Sequence, residues 1–263
     1  MHNRSVFLDV AINAAREAGK VLLARFNEDH HPIYKSKSDI GLSIDKECEN
    51  IILKHILNFF PEHSIYSEEI GSIKNLSEYK WFIDPLDGTN NYYVGIPYLS
   101  VSFALTHEYV TILGVVYNPV TNMLFVSEKN KGAYLNGKRF QTKSLASSTY
   151  SVISFIRGHS KQTMSNKTST ELYTTITHHF SRTLTMWAPS LDWCHLALGK
   201  INALISFESE LEDMLAGLLI AEEAGIVVYS FDGKEYNLHE NTIAASQNEL
   251  KRNLVNLLTP FLK

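Results

Sequence analysis

The run Trp81–Asn90, which reads Trp-Phe-Ile-Asp-Pro-Leu-Asp-Gly-Thr-Asn, constrains the fold of this chain more than any other segment. Its apolar start predicts a β-strand with Asp84 at its C-terminal end, where Pro85 should stop further ladder pairing and stiffen a turn. Asp87 follows three residues after Asp84. Two carboxylates on a stiff turn, with the carbonyl of Leu86 between them, are typical of a site for a hard cation such as Mg²⁺. An Asx-turn followed by a helix cap explains the same spacing, so the run by itself leaves both interpretations open.

The composition is that of a globular protein and narrows the partners that the chain can have. Of 263 residues, 44% are hydrophobic and 20% are charged, and 24 Lys and Arg against 28 Asp and Glu give a net charge of −4. Such a chain has no overall attraction for a nucleic acid polymer or an anionic membrane. Two cysteines are too few for a disulfide framework. No stretch of 18 apolar residues occurs that could span a membrane, and Asp9 interrupts the apolar residues near the start, so they do not form the apolar region of a signal peptide. We therefore expect a soluble, cytoplasmic protein that does not enter a membrane.

The hydrophobic pattern divides the chain into two parts with a soft boundary near residue 145. In the first part, amphipathic helices are predicted over 5–26 and 45–60. Strands then follow one another with short turns, Asn136-Gly137 among them, which predicts an antiparallel meander covered on one face by the two helices. In the second part strands alternate with helices, as in α/β proteins. We predict two subdomains, 1–145 and 146–263.

Other acidic and basic residues lie near the ends of predicted elements and have ordinary explanations when taken one at a time. Glu68, the first of two adjacent glutamates, follows a short strand, and such pairs commonly form a solvated surface. Asp45 and Asp213 each open a predicted helix, where a carboxylate interacts favourably with the positive end of the helix dipole. Lys35 and Lys37 could bind a phosphate, but a solvated basic loop is the default interpretation.

Four segments together resemble the inositol monophosphatase family. The run 81–97 resembles the family's first signature, an aromatic-x-Ile-Asp-Pro-Leu/Ile-Asp-Gly-Thr-x-Asn stretch, and 67–69 looks like its Gly-Glu-Glu element. Residues 213–225 are similar to the second signature, Trp-Asp-x-Ala-Ala-Gly followed by Glu-Ala-Gly-Gly. Residues 39–45 resemble the family's Asp-Leu-Val-Thr-x-x-Asp element. The segments follow the family's order along the chain, and the first is specific by itself.

The resemblance implies roles for particular residues. The implied metal ligands are Glu68, Asp84, the backbone carbonyl of Leu86, Asp87 and Asp213. The implied catalytic residues are Thr89 and Asp45, a pair that polarises the attacking water, together with Glu68. The implied contacts to the phosphorylated substrate are Asp87, Asp213 and the backbone N–H groups of Gly88 and Thr89. Carboxylates gathered in this way would repel one another in a poorly solvated cleft, and divalent cations make such a cluster tolerable.

The resemblance also implies a fold and an activity. The implied fold is α/β (α+β), the layered αβαβα sandwich of the inositol monophosphatase and fructose-bisphosphatase type, with the site between two subdomains. The implied activity is that of a lithium-sensitive phosphomonoesterase, which uses two or three Mg²⁺ ions and an activated water to hydrolyse a small phosphorylated polyol such as inositol 1-phosphate. Homodimers are usual in the family, so we expect the chain to form one.

Departures from the family pattern fall on the side of the site that meets the alcohol. Glu212 stands where the second signature has Trp, and Ile226 stands in place of its last Gly. The family's Gly-Ser/Thr-Ala-Ala loop, which meets the sugar or inositol part, is here Trp187-Ala188-Pro189-Ser190. All the acids of the implied metal site are present, so the pattern favours phosphatase chemistry. It does not identify the alcohol part of the substrate.

Other functions remain to be weighed against this one. A related phosphatase could act on a nucleotide 3′-phosphate, on NADP or on fructose 1,6-bisphosphate, and the altered loop keeps these substrates open. A haloacid-dehalogenase phosphatase is disfavoured because it needs Asp-x-Asp, whereas Asp84 and Asp87 are spaced Asp-x-x-Asp. A non-catalytic metal-binding protein would be expected to have lost a ligand, but every matched acid is present.

Overall fold

The fold is given by a computed structural model that describes residues 4–35, 40–143, 150–158, 166–237, 240 and 242–262. Within these ranges the helices are α1 (Val6–Arg25), α2 (Ser43–Phe59), α3 (Thr89–Val94), α4 (Asn166–His179), α5 (Pro189–Ala197), α6 (Leu211–Glu223) and α7 (Asn248–Leu258). The strands there are β1 (Ile33–Tyr34), β2 (Ile40–Gly41), β3 (Ser64–Ser67), β4 (Gly71–Ile73), β5 (Tyr79–Asp87), β6 (Ser100–His107), β7 (Val110–Asn118), β8 (Met123–Glu128), β9 (Ala133–Leu135), β10 (Lys138–Phe140), β11 (Val152–Arg157), β12 (Arg182–Leu184), β13 (Ala203–Phe207), β14 (Val227–Ser230) and β15 (Ile243–Ser246).

The first sheet has eight strands in the order β10-β9-β8-β7-β6-β5-β3-β4. From β5 to β10 each strand pairs antiparallel with the next along the chain, so the predicted meander is confirmed. Asn136 and Gly137 join β9 to β10 with φ of 49° and 79°, the positive values that a tight hairpin turn requires. β3 pairs parallel with β5, with Ser67 opposite Ile83, so the residues that follow both strands lie at one edge of the sheet.

Two helices cover one face of this sheet, as the hydrophobic pattern predicts. α1 and α2 pack on each other, α1 also packs on β6 and β7, and α2 packs on β5. Ala14, Ala18 and Leu22 recur at helical spacing on α1 and are fully buried in this layer. α2 begins at Ser43, two residues before the predicted start.

The second sheet has five strands in the order β12-β11-β13-β15-β14, with α5 and α6 between it and the first sheet. α6 approaches β7 closely at Gly114, where a Cβ atom would lie 2.5 Å from the carbonyl oxygen of Ala216. On the outer face, Leu172 of α4 and Leu254 of α7 belong to a third buried cluster. The order of layers is therefore helix, sheet, helix, sheet, helix, which confirms the expected αβαβα sandwich.

The end of β5 differs from the prediction. The strand does not stop at Asp84 but continues through Pro85 to Asp87. The register to β6 shifts between Asp84, which lies opposite Ser102, and Asp87, which lies opposite Ser100. Pro85 is tolerated because it lies in this irregular stretch, where the ladder does not use its missing N–H.

The two sheets use separate stretches of the chain. Strands of the first sheet end at Phe140 and those of the second begin at Val152. The subdomain boundary expected near residue 145 falls outside the described residues and stays a prediction. In the described part of the chain, no helix combines the length and the apolar character needed to cross a membrane.

Candidate active site

The end of β5 holds two buried carboxylates, Asp84 and Asp87, which are 3% and 2% exposed. Asp84 Oδ1 accepts a hydrogen bond from the N–H of Leu86 at 2.9 Å. Asp87 Oδ2 accepts from the hydroxyl of Ser100 at 2.9 Å and from the N–H of Ser190 at 3.0 Å. Ser190 belongs to the first turn of α5, so a free N–H of that helix start is directed at Asp87. The fold thus anchors Asp87 from both halves of the chain.

Gly88 and Thr89 form the turn into α3. Gly88 has a φ of 91°, and a Cβ atom there would lie 3.0 Å from the carbonyl oxygen of Tyr98 and 3.2 Å from Ala188 Cβ, so only glycine fits. The Thr89 hydroxyl donates to the carbonyl oxygen of Leu86 at 3.0 Å. The lone pairs of the Thr89 oxygen are then directed away from that carbonyl.

Asp45, in the first turn of α2, has one oxygen bonded and one oxygen without a partner. Its Oδ2 accepts from the N–H of Leu42 at 2.6 Å. Its Oδ1 is buried and has no hydrogen-bond partner among the described residues. Burial, helped by the negative charges of Glu68 and Glu69, raises the pKa of Asp45 to about 7. A buried, unpaired oxygen of this kind is suited to a water, a cation or a proton.

Glu68, in the turn between β3 and β4, contacts a lysine. Lys35 Nζ lies 2.9 Å from Glu68 Oε1 and 2.5 Å from Glu69 Oε1. Burial works against the charge of Lys35, but the two glutamates raise the pKa of its ammonium group above the ordinary value. Lys35 is thus an exposed residue, as expected of a solvated loop, whose ammonium group pairs with the two glutamates. Lys37, and Asp39 at the start of the family-like element, lie outside the described residues.

Asp213, in the first turn of α6, faces the same group of acids. Burial, followed by the charges of Glu212 and Asp87, raises the pKa of the Asp213 carboxyl well above its usual range. Burial, followed by the charge of Glu68, does the same for Asp84. The residues that share these interactions come from α2, the turn after β3, the end of β5 and the start of α6. The fold brings together acids that are as much as 168 positions apart, from Asp45 to Asp213.

The acids of the candidate site are oxygen donors of the kind that a hard divalent cation binds, but their oxygens do not converge on one point. Among the described residues, no three His, Cys, Asp or Glu side chains stand as a ready metal-binding group. Lys35 Nζ contacts Glu68 Oε1, and repulsion between like charges opposes close approach of the carboxylates. The donor set consists of oxygens, and two buried oxygens near it, Asp45 Oδ1 and Ser102 Oγ, have no partner in the described chain. Oxygen ligands of this type fit Mg²⁺.

The side of the site that departs from the family pattern carries Trp187 and Glu212. Trp187 is 61% exposed and has a φ of 55°, a conformation that bulky residues adopt only under strain. Pro189 is the first residue of α5, where a missing N–H costs no helical hydrogen bond. Burial raises the pKa of Glu212 to about 7, whereas a hydrogen bond from Tyr66 acts in the opposite direction.

Sequence reasoning missed several residues that shape this site. Ser100 faces Asp87 only because of the register between β5 and β6, and Lys35 reaches Glu68 across 33 positions of the chain. Glu49 and Asp192, described below, are buried acids whose partners are also distant in sequence. Local spacing carries no signal for such pairs. For Glu49 the sequence does hold a signal, because its position one helical turn after Asp45 places the two acids on the same face of the helix.

The whole chain is similar to known phosphatases. The model of the inositol monophosphatase family matches residues 3–260. Inositol monophosphatase 1 of Solanum lycopersicum is 31% identical over 96% of this chain and 94% of its own length. A protein named fructose-1,6-bisphosphatase/inositol-1-monophosphatase, from Aquifex aeolicus, is 34% identical over 91% of each chain. The crystal structure of the extragenic suppressor protein suhB from Bartonella henselae, 26% identical, superimposes with a TM-score of 0.88 over 97% of this chain and 98% of that one.

Proposed function

This chain belongs to the inositol monophosphatase family and is a phosphatase of that type, and we propose that it hydrolyses a small phosphorylated polyol such as inositol 1-phosphate with Mg²⁺ as its cofactor. One observation carries the proposal. The buried Asp84 of β5, Asp213 of α6 and Glu68 interact electrostatically beside the start of α3. A cluster of acids repels a phosphate unless cations reverse its charge.

The proposed metal ligands are the oxygens of Glu68, Asp84, Asp87 and Asp213 and the carbonyl of Leu86, which together would hold two or three ions. Mg²⁺ supplies positive charge to the phosphoryl oxygens and lowers the pKa of the attacking water when it is bound. Oxygen donors and raised carboxyl pKa values support this assignment, since a divalent cation would relieve the repulsion. We also propose that lithium lowers the phosphatase activity through the same metal ligands.

The proposed catalytic pair is Thr89 and Asp45, with Glu68 beside it. The Thr89 hydroxyl donates a hydrogen bond to the carbonyl oxygen of Leu86, which leaves the Thr89 oxygen free to accept a hydrogen bond from a water. Asp45 has a buried oxygen without a partner among the described residues, so it can accept a hydrogen bond or a proton from that water. The backbone N–H groups of Gly88 and Thr89, with Asp87 and Asp213, are the proposed contacts to the phosphorylated substrate.

More than one alcohol is a candidate for the substrate, although the proposed reaction is the same for each. The similar Aquifex aeolicus protein carries both activities in its name, fructose-1,6-bisphosphatase and inositol-1-monophosphatase. Fructose 1,6-bisphosphate therefore stands as a second candidate, and Trp187 and Glu212 are the residues that would discriminate between alcohols. A nucleotide 3′-phosphate or the 2′-phosphate of NADP needs a larger cleft and ranks after these.

We also propose that the protein works as a homodimer in the cytoplasm. Exposed apolar residues at the end of α3, Tyr93, Val94 and Ile96, offer surface for a partner subunit. Cys48 and Cys194 are buried free thiols, which suits a reducing compartment. Sedimentation equilibrium tests the dimer, and a single species at the monomer mass would contradict it.

The test of the proposed function is phosphate release from a panel of esters. Inositol 1-phosphate, fructose 1,6-bisphosphate and adenosine 3′,5′-bisphosphate are each assayed with MgCl₂, with EDTA, and with MgCl₂ plus LiCl. We expect turnover that needs Mg²⁺, is fastest with inositol 1-phosphate and falls with lithium, and an Asp213→Asn variant serves as the inactive control. Absence of turnover with every ester would instead support a non-catalytic metal-binding protein.

A further inference from the structure

Glu49 is a buried acid that the proposed chemistry does not use. It lies on α2, one turn after Asp45, and is 1% exposed. Its helix neighbours in the core, Cys48 and Ile52, are apolar and fully buried. Burial of a carboxylate is costly unless strong hydrogen bonds satisfy it, so an acid kept at such a position needs a reason.

In the described part of the chain, the hydrogen-bond partners of Glu49 lie at the end of β3 and in the turn after it, which carries Glu68. Glu49 Oε1 accepts hydrogen bonds from the N–H of Glu69 at 3.2 Å and from the N–H of Ile70 at 3.1 Å. The hydroxyl of Ser67 donates to the same oxygen. Three donors therefore converge on one carboxyl oxygen, and hydrogen bonds to a carboxylate are stronger than those to a neutral acceptor. The donors flank Glu68 on both sides in sequence.

We propose that Glu49 is a positioning residue that fixes the β3–β4 turn so that Glu68 can serve as a metal ligand, an inference that rests on the proposed function. The turn spans only the residues between Ser67 and Gly71, which pair across β3 and β4. Without Glu49, two backbone N–H groups and one hydroxyl of this turn lose their acceptor. The backbone of Glu68 then has fewer constraints, and its partly exposed side chain keeps the ion pair with Lys35.

The position of Glu49 couples two parts of the site through one helix. Asp45 and Glu49 are four residues apart, so they lie on the same face of α2. Asp45 contributes its unpaired oxygen directly, and Glu49 holds the turn of Glu68. α2 is itself anchored by Ile52 and Ile56, which are fully buried. The helix therefore sets the separation between the Asp45 carboxylate and the Glu68 backbone.

The experiment compares Glu49→Gln and Glu49→Ala with the matched control Glu47→Gln. Glu47 lies on the same helix, but its side chain is 48% exposed and pairs with Arg25. Mg²⁺ binding is measured by calorimetry with MgCl₂ alone. Loss of a group that orients a metal ligand typically weakens metal binding 10- to 100-fold. We expect about 100-fold for Glu49→Ala, about 10-fold for Glu49→Gln, which keeps an acceptor oxygen, and no change for Glu47→Gln.

Amide hydrogen exchange in the metal-free protein gives a readout that does not depend on activity. We expect the amides of Glu69 and Ile70 to lose protection in Glu49→Ala, while core amides of β6 keep theirs. A purely structural role predicts general loss of stability without a change in metal binding. Leu254→Ala in α7, far from the turn, supplies that comparison, since it creates a cavity and should leave Mg²⁺ affinity unchanged.

The outcomes separate this inference from the proposed function. If the wild type binds Mg²⁺ and turns over substrate, but Glu49→Ala binds Mg²⁺ equally well, the positioning role is overturned and the function stands. Unchanged protection of the Glu69 and Ile70 amides overturns the role in the same way. A wild type that neither binds Mg²⁺ nor turns over any ester overturns the function, and the role with it. Should Glu49→Ala fail to fold, Glu49→Gln and Ser67→Ala, which removes a single donor, carry the same test.

Discussion

Two walls of the candidate site differ in how closely they follow the family pattern. The wall made by α2, the β3–β4 turn and the end of β5 carries every acid that the family motifs contain, from Asp45 to Asp87. The opposite wall, at the starts of α5 and α6, keeps Asp213 but has Trp187 and Glu212 where the family has Gly and Trp. A phosphate and its cation place the same demands on every member of such a family, whereas the alcohol differs. Under the proposed function, we expect the first wall together with Asp213 to set the reaction chemistry, and Trp187 and Glu212 on the second wall to set the selectivity.

Each wall also contains a buried acid that supports it, and the two acids differ in their hydrogen-bond partners. Glu49 binds backbone N–H groups of a turn, as described above. Asp192 of α5 is 3% exposed and accepts from the hydroxyl of Tyr98 at 2.6 Å and from that of Ser154 at 2.7 Å. These bonds join α5 to the segment before β6 and to β11. Asp192 lies two residues after Ser190, whose N–H donates a hydrogen bond to Asp87. Side-chain hydroxyls can reverse their roles, whereas backbone N–H groups cannot.

The largest effect is expected on the first wall, from Asp84→Asn. The change keeps the shape of the side chain but removes a proposed metal ligand, so kcat/KM should fall about 1,000-fold, equal to about 4 kcal/mol. The metal-free variant should unfold at a higher temperature than the metal-free wild type, because it lacks a carboxyl group that burial and neighbouring acids make costly to ionise in the folded state. Phosphate release and thermal unfolding in EDTA measure both effects, with the exposed Asp9→Asn as the control. Activity above one tenth of the wild type would refute the ligand role.

Removal of the metal should make stability depend on pH through Asp45. Its folded pKa of about 7 lies above the ordinary 3.8, so between these values the folded state holds a proton that the unfolded state has released. Stability of the EDTA-treated protein should therefore fall as pH rises from about 4 to 7, and Asp45→Asn should reduce this slope. MgCl₂ should restore the unfolding temperature at pH 8. Equal pH profiles for wild type and Asp45→Asn in EDTA would argue against this account.

On the second wall, Asp192→Ala should be more damaging than Asp192→Asn. Alanine removes the acceptor of both hydroxyls, and the buried Ser154 hydroxyl loses its partner while that of Tyr98 keeps a 3.3 Å contact with His195 Nδ1, so the cost is about 1–3 kcal/mol. Asparagine keeps an acceptor for one hydroxyl and a donor for the other. The pKa of Asp192, raised to about 6 by burial, also predicts that its contribution to stability falls from pH 4 to 6, a slope absent in Asp192→Asn. Denaturant unfolding at pH 4 and pH 7 measures both, and equal stabilities of the two variants would count against the hydrogen-bond account.

The smallest effect on stability is expected from Trp187→Gly. Glycine adopts the positive φ of this position without strain, a gain of about 1 kcal/mol that its greater freedom in the unfolded chain largely offsets. Stability should therefore change by less than about 0.5 kcal/mol. If this wall determines selectivity, the ratio of kcat/KM for fructose 1,6-bisphosphate to that for inositol 1-phosphate should shift several-fold. An unchanged ratio would separate Trp187 from substrate choice and leave Glu212 as the remaining candidate.

Much of the fold could be predicted from local patterns. The spacing of apolar residues gave α1 and α2 to within a few residues, and Asn136-Gly137 marked a hairpin because its two residues accept positive φ. The continuation of β5 through Pro85 could not be predicted in this way. Proline normally ends pairing, and the irregular register that accommodates it depends on β6, a neighbour from another part of the chain.

The amino-acid sequence by itself determined the family resemblance, because the residue types and spacing of the run 81–90 are recognised without a structure. Tertiary structure alone decided which groups meet across long intervals of the chain: Lys35 with Glu68, Glu49 with the turn of Glu68, and Ser190 with Asp87. The physical reason is that a single buried charge is satisfied by whichever donor the packed layers bring within hydrogen-bond distance. Such contacts arise only when α2, β5 and α5 pack together, and no periodicity along the chain encodes them.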